Sequence, residues 1–261
     1  MCHPEVPEGL PKPDVRTEEV AIGLPGGERL PALLAVPERT PAPPVLVIND
    51  VFGRSAFYEH LTGRLALAGF VALNVEYFFR QGPVPDGDRP KAMARRLKLD
   101  QRQTLDDLEA AIAWLMSIPQ ASGSRLGTIG FCMGGTFVLD LAARRREAVS
   151  VSYYGFPGAK PDERNGLERP IDAANRMRAP ILGHWGDQDT GVGMGNVAAL
   201  SDGLRAARVE HEFHVYPGLG HGFLKAFLED ESAAGYAQAC ESWTRTLDFY
   251  RRHLLPGGGR A

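Results

Sequence analysis

Residues 126–138 read Leu-Gly-Thr-Ile-Gly-Phe-Cys-Met-Gly-Gly-Thr-Phe-Val, and the turn inside them, Gly130-Phe131-Cys132-Met133-Gly134-Gly135, decides the fold. The apolar run at 126–129 has strand character, and beyond the turn Phe137, Val138, Leu141 and Ala142 fall at helical spacing. G-x-C-x-G between a strand and a helix is the pattern of a nucleophile elbow. Its sharp turn forces the central residue into strained backbone geometry, and small residues two before and two after it let the chain pass. The helix N-terminus adds partial positive charge and unpaired N–H groups, which lower a thiol pKa and offer the Met133 amide to an oxyanion. The bland alternative is a buried structural cysteine beside a glycine turn.

Outward from this turn the chain alternates strand and helix. Upstream, 18–22 and 30–36 flank a Gly26-Gly27 turn as an antiparallel hairpin, followed by apolar runs at 45–48 and 70–75 with a helical stretch at 56–68 between them. Leu105, Leu108, Ile112 and Leu115 mark a helix that starts beyond Thr104 and ends near Pro119. Downstream come strand candidates at 149–153, 180–185 and 211–216, with a helix at 197–206. A closing helix carries Tyr236, Cys240, Trp243, Leu247, Tyr250 and Leu254 on one face. Such alternation predicts an α/β fold with a doubly wound, mostly parallel sheet and an N-terminal antiparallel hairpin, as one domain over 17–255. Residues 1–16 and 256–261 are expected to be flexible ends. The polar stretches 81–102 and 156–178 are expected as surface excursions, either of which can shape a pocket. Within the first, the charge run at 89–102 reads either as an attractor for an anionic substrate or as a solvated helix face, and the second reading is preferred.

Composition narrows the function. The 261 residues carry 29 Lys and Arg against 32 Asp and Glu, a formal charge of −3, so no basic field exists to hold nucleic acid or an anionic membrane. No apolar stretch approaches the roughly 20 residues needed to cross a bilayer. The first fifteen residues have no apolar signal core, which predicts a cytoplasmic location. Cys2, Cys132 and Cys240 are too few and too widely spaced for a disulfide framework or a zinc site, and the histidines show no ligand spacing. Cys240, on the apolar stripe of the closing helix, reads as core.

A nucleophile of this kind needs a base and an orienting acid, and in this architecture they follow it as acid, then base. After the run at 180–185 comes Gly186-Asp187-Gln188-Asp189, and after that at 211–216 comes Gly218-Leu219-Gly220-His221-Gly222-Phe223. Both lie at strand carboxyl ends, where open α/β sheets place their sites. His221 is read as the base and Asp189 as the acid, with Asp187 as its rival.

These motifs, together with Asn49-Asp50-Val51-Phe52-Gly53 and Phe78-Phe79-Arg80-Gln81-Gly82, resemble the dienelactone hydrolases (carboxymethylenebutenolidases), α/β-hydrolases with a cysteine nucleophile. The likeness runs over about 17–254. It implies a Cys132, His221, Asp189 triad that opens an enol lactone through an acyl thioester, an oxyanion hole from the amides of Met133 and Val51, and no metal or organic cofactor. It also implies a carboxylate contacting the resting cysteine, where Asp50 replaces the family's glutamate. An arginine pair is implied for the substrate carboxylate, matched by Arg80 and, as a replacement, Lys225. Tyr154 resembles a further pocket residue. Small-molecule substrate only, no nucleic acid, no membrane, and a monomer complete the expectation. Two other functions remain open at this point: a broader carboxylesterase or thioesterase, and a non-catalytic α/β protein that binds a ligand or senses oxidants through Cys132.

Overall fold

The computed structural model describes residues 5–84 and 88–255. Strands β1 (Arg16–Gly23) and β2 (Arg29–Val36) form the expected antiparallel hairpin, and β2 pairs antiparallel with β4 (Val71–Val75). From there β3 (Pro44–Ile48), β5 (Leu126–Phe131), β6 (Ala148–Tyr153), β7 (Ile181–Gly186) and β8 (His211–Tyr216) run parallel, in the order β1-β2-β4-β3-β5-β6-β7-β8. The sheet is mostly parallel and doubly wound, as in α/β-hydrolases. β3, β4, β5, β6 and β7 are buried at every position, which is why they read as unbroken apolar runs rather than alternating ones.

The helices are α1 (Ala56–Leu67), α2 (Arg89–Leu97), α3 (Gln101–Ser117), α4 (Met133–Arg144), a single turn α5 (Pro170–Ala173), α6 (Met194–Ala206) and α7 (Tyr236–Leu254). α3 begins one turn earlier than the apolar spacing alone indicates. Asp100, not Thr104, is its N-cap, accepting hydrogen bonds from the Arg102 and Gln103 amides at 2.9 and 3.2 Å. Part of the N-terminal stretch expected to be flexible lies on the body, with Val6, Leu10 and Val15 against the core. The expected tail at 256–261 falls outside the described residues.

The order of strands positions the site. From β3 the chain winds one way, through α1 to β4, and from β5 it winds the other way, so the switch point lies between β3 and β5. Loops leaving two adjacent parallel strands in opposite directions open a crevice at their carboxyl ends. Here the register pairs Ile48 with Gly130, so the loop 49–53 and the turn at Cys132 leave the sheet side by side. The two glycines of the elbow make that approach possible. A Cβ on Gly130 would stand 2.2 Å from the Gly134 carbonyl oxygen, and one on Gly134 would stand 2.1 Å from that of Ile48. No side chain fits either place.

Candidate active site

Cys132 follows β5 directly and precedes α4, with φ 56° and ψ −118°. This is a left-handed conformation that a non-glycine residue adopts only under constraint. The constraint is visible. Its amide donates to the Tyr153 carbonyl at 3.0 Å, and its carbonyl accepts the Thr136 amide at 3.2 Å, so the residue is fastened to β6 on one side and to α4 on the other. The side chain is nearly buried yet lines a cavity of about 660 Å³. The same cavity is lined by Val51, Met133, Asp189 and His221.

The loops after β7 and β8 supply a carboxylate and an imidazole. Asp189 Oδ2 lies 2.6 Å from His221 Nδ1, while its Oδ1 accepts the Val192 amide at 3.2 Å. Only 4% of Asp189 is exposed, so this carboxylate is shielded from solvent screening. A carboxylate on Nδ1 assigns the proton to that nitrogen and leaves Nε2 as an acceptor. Asp187, the rival, points elsewhere: its Oδ1 accepts the Gly218 amide at 2.8 Å and the Gln188 side-chain amide at 3.0 Å, closing the turn between the two loops. The ring of His221 meets Tyr154 edgewise, with centroids 5.0 Å apart, and lies tilted against Phe156 at 5.4 Å.

Behind the cavity, the loop after β3 is heavily braced. Asp50 is fully buried, with Oδ1 accepting the Phe52 amide at 2.8 Å and Oδ2 accepting the Tyr58 hydroxyl at 2.7 Å. Tyr77 donates its hydroxyl to the Asn49 and Asp50 carbonyls at 3.0 and 2.9 Å. Burial pushes that phenol well above its usual pKa, and the charges of Asp50 and Cys132 add to the shift, which puts all three groups in one electrostatic neighbourhood.

The three expected substrate contacts lie outside the lining of the cavity. Arg80 does not line the cavity: its guanidinium is committed to Glu28 at 2.7 Å and Asp107 at 2.5 Å and lies over the Phe79 ring. Those bonds raise its pKa further, so it is a satisfied ion pair rather than a waiting clamp. Lys225, on the 3-10 helical segment Phe223–Leu228, is also outside the lining, half exposed, and 3.6 Å from Glu229. Tyr154 is not a lining residue either; it is fully buried and touches the site through the His221 ring.

Different cations face the cavity. Arg89, Arg96 and Lys160 line the cavity, and none has a carboxylate within ion-pair distance among the described residues. Arg164 also lines it, but is bound to Asp140 and to Gln101. Asp140 itself is pushed up to about 6 by burial, against the pull of Arg164. The charge run at 89–102, preferred above as a solvated face, therefore forms a wall of the cavity. The signal was its spacing: Arg89, Met93 and Arg96 sit at i, i+4 and i+7, one face of a helix, with Ala92 and Arg95 buried on another. Polarity concealed it, because that face turns to an open cavity rather than to the core. Among the described residues no group of three or more His, Cys, Asp or Glu is placed to hold a metal, and no helix is long and apolar enough to cross a membrane.

Comparison with known proteins agrees with this architecture. The model of the dienelactone hydrolase family matches residues 30–254. The chain is 32% identical to a carboxymethylenebutenolidase of Rhodococcus opacus over 262 aligned residues, covering 98% of this chain and 99% of the relative. It is also 32% identical, over 90% of this chain and 94% of the relative, to a Bradyrhizobium protein assigned as a 2-oxo-3-(5-oxofuran-2-ylidene)propanoate lactonase. Among solved structures, one from Klebsiella pneumoniae assigned as a dienelactone hydrolase superposes with a TM-score of 0.81 at 30% identity, covering 90% of this chain and 98% of that one.

Proposed function

Because this chain belongs to the dienelactone hydrolase family and is a hydrolase of ester or lactone bonds, we propose that it opens small enol lactones bearing a carboxylate, through Cys132, His221 and Asp189. The observation that carries the reading is the shared cavity: Cys132 in its strained turn and His221, paired to Asp189 at 2.6 Å, both open onto it beside the residues whose amides are Val51 and Met133.

The chemistry follows from these groups. His221 Nε2 takes the thiol proton while Asp189 holds the ring and offsets the imidazolium charge. The thiolate adds to the lactone carbonyl, and the oxygen that gains charge meets the Val51 and Met133 amides, the latter reinforced by the dipole of α4. Collapse expels the ring oxygen as an enolate, which His221 protonates and which then tautomerises to the ketone, so that the leaving group does not return. An amine leaving group would be poorer than the thiolate and the intermediate would revert, so activated esters and enol lactones are favoured over amides. Water, deprotonated by His221, then cleaves the acyl thioester and restores the thiol.

Selection for a carboxylate is supported by Arg89, Arg96 and Lys160 on the wall of the cavity, in the role that the resemblance assigned to Arg80 and Lys225. The test is steady-state hydrolysis of a carboxylated dienelactone and of a neutral activated ester of similar size, with Cys132→Ala as the blank. Preference for the carboxylated lactone, abolished in the blank, is expected. Equal turnover of both would make the protein a general carboxylesterase, and undiminished turnover by Cys132→Ala would end the mechanism.

A further inference from the structure

The side chain of Arg95 is an arginine in an unusual place. It leaves α2 beside the face that lines the cavity, is 6% exposed, and has no carboxylate within ion-pair distance among the described residues. Instead its Nη2 donates to the Val51 carbonyl at 2.9 Å, its Nη1 donates to the Gly82 carbonyl at 2.8 Å, and the guanidinium carbon lies 4.1 Å from the centroid of the Phe78 ring. A buried cation satisfied mainly by carbonyl dipoles is costly to fold around, so its contribution is not that of a stabilising ion pair.

We propose that Arg95 is a positioning residue that aims the Val51 amide into the cavity and fastens it to the helix forming the cavity wall. The proposal rests on the oxyanion role given to Val51 above. Two consecutive peptide planes are held from behind. The Asp50–Val51 plane has its carbonyl oxygen bound by the Tyr77 hydroxyl at 2.9 Å and the Gly53 amide at 3.1 Å. The Val51–Phe52 plane has its oxygen bound by Arg95 and its N–H by Asp50 Oδ1 at 2.8 Å. In a trans peptide the N–H points opposite the C=O, so fixing the Asp50 carbonyl away from the cavity directs the Val51 N–H towards it. Arg95 fixes the plane on the other side of the Val51 α-carbon, which removes the remaining rotation. Preorganised donors stabilise an oxyanion because they need not reorient as charge forms. The same side chain joins the loop after β3, the segment after β4 and α2, whose adjoining face presents Arg89, Met93 and Arg96 to the cavity.

The experiment separates two reactions of one sulfur. Acylation of Cys132 by an activated ester builds an oxyanion, whereas alkylation by iodoacetamide, in which the thiolate displaces iodide, builds none. Both rates would be measured under single-turnover conditions for wild type, Arg95→Met and Arg95→Lys, with the adduct located by mass. The expected result is an acylation rate about tenfold to a hundredfold lower in Arg95→Met, partly recovered in Arg95→Lys, with alkylation unchanged. Parallel loss of both reactions, unchanged acylation, or an Arg95→Lys protein that does not fold would overturn the proposal and leave Arg95 a structural residue. Acylation of a residue other than Cys132 in the wild type would instead refute the catalytic reading on which it rests.

Discussion

Asp189→Asn offers a sharp test of the catalytic reading, because the hydrogen bonds dictate how the new side chain must sit. In the wild type, Oδ1 accepts the Val192 amide at 3.2 Å and Oδ2 faces His221 Nδ1 at 2.6 Å. An asparagine can keep the first bond only by placing its oxygen there, which turns its NH2 group to the imidazole. Nδ1 must then accept, so the ring proton moves to Nε2, the nitrogen that should receive the thiol proton. The fold is preserved and the base is disabled. Loss of the orienting carboxylate in comparable triads costs about four orders of magnitude, equivalent to about 5 kcal/mol of barrier. That loss should fall unequally on the two half-reactions. A thiol supplies a few per cent of thiolate near pH 7 without help, so acylation should drop by about a hundredfold, whereas water has no such reserve and deacylation should take about the full ten-thousandfold loss. The acyl-enzyme should accumulate. Stopped-flow release of the leaving group from an activated ester should show a burst followed by a nearly flat phase, with one acyl group on Cys132 by intact mass. Asp187→Asn serves as the comparison, since an asparagine oxygen can still accept the Gly218 amide. Wild-type turnover in Asp189→Asn, or an equal loss in Asp187→Asn, would refute the assignment.

Replacing Arg89 and Arg96 by glutamate should lower kcat/KM for a carboxylated lactone by about a hundredfold, near 3 kcal/mol, and leave a neutral ester untouched; matched losses on both substrates would count against the cationic wall. Arg80→Ala should do the reverse, keeping the substrate preference while lowering stability in urea by about 3 kcal/mol, because it strands the nearly buried Asp107. Gly134→Ala, whose Cβ would meet the Ile48 oxygen at 2.1 Å, should cost at least about 3 kcal/mol and move the loop at Val51, so a well-folded, fully active variant would contradict the packing described. Acidification should destabilise the chain between about pH 6.5 and 4: burial lowers the His60 pKa to about 4 and holds that of His184 well below its usual value, so the unfolded chain takes up protons that the folded one refuses. Asp140, raised to about 6, works in the opposite sense from about pH 6 downwards, since there the folded state holds the extra proton. Urea midpoints at pH 7 and pH 5 decide the balance, and a higher midpoint at pH 5 would show the carboxyl outweighing the histidines.

Much of this protein is legible from local patterns, because each pattern expresses a short-range constraint. Unbroken apolar runs report strands covered on both faces, and the glycines of 130–135 report a turn too tight for side chains. The order Cys132, Asp189, His221 follows from where strands end, and all three line one cavity because parallel strands all finish on one edge of the sheet. What stays hidden depends on partners distant in the chain. Arg80 matches a motif by position, yet Glu28 and Asp107, 52 and 27 residues away, have already claimed it. Asp187 and Asp189 are equivalent in sequence and differ only in which of them faces the imidazole.

By itself, then, the amino-acid sequence determined the α/β architecture, the strained cysteine turn and the family, since these rest on hydrophobic period, glycine placement and spacing along one chain. Only the tertiary structure decided which carboxylate holds His221, which cations line the cavity, and that Arg95 braces the loop at Val51 from behind. The physical reason is that a charge or a hydrogen-bond donor takes its role from the nearest complementary group in space, and folding chooses that neighbour from the whole chain.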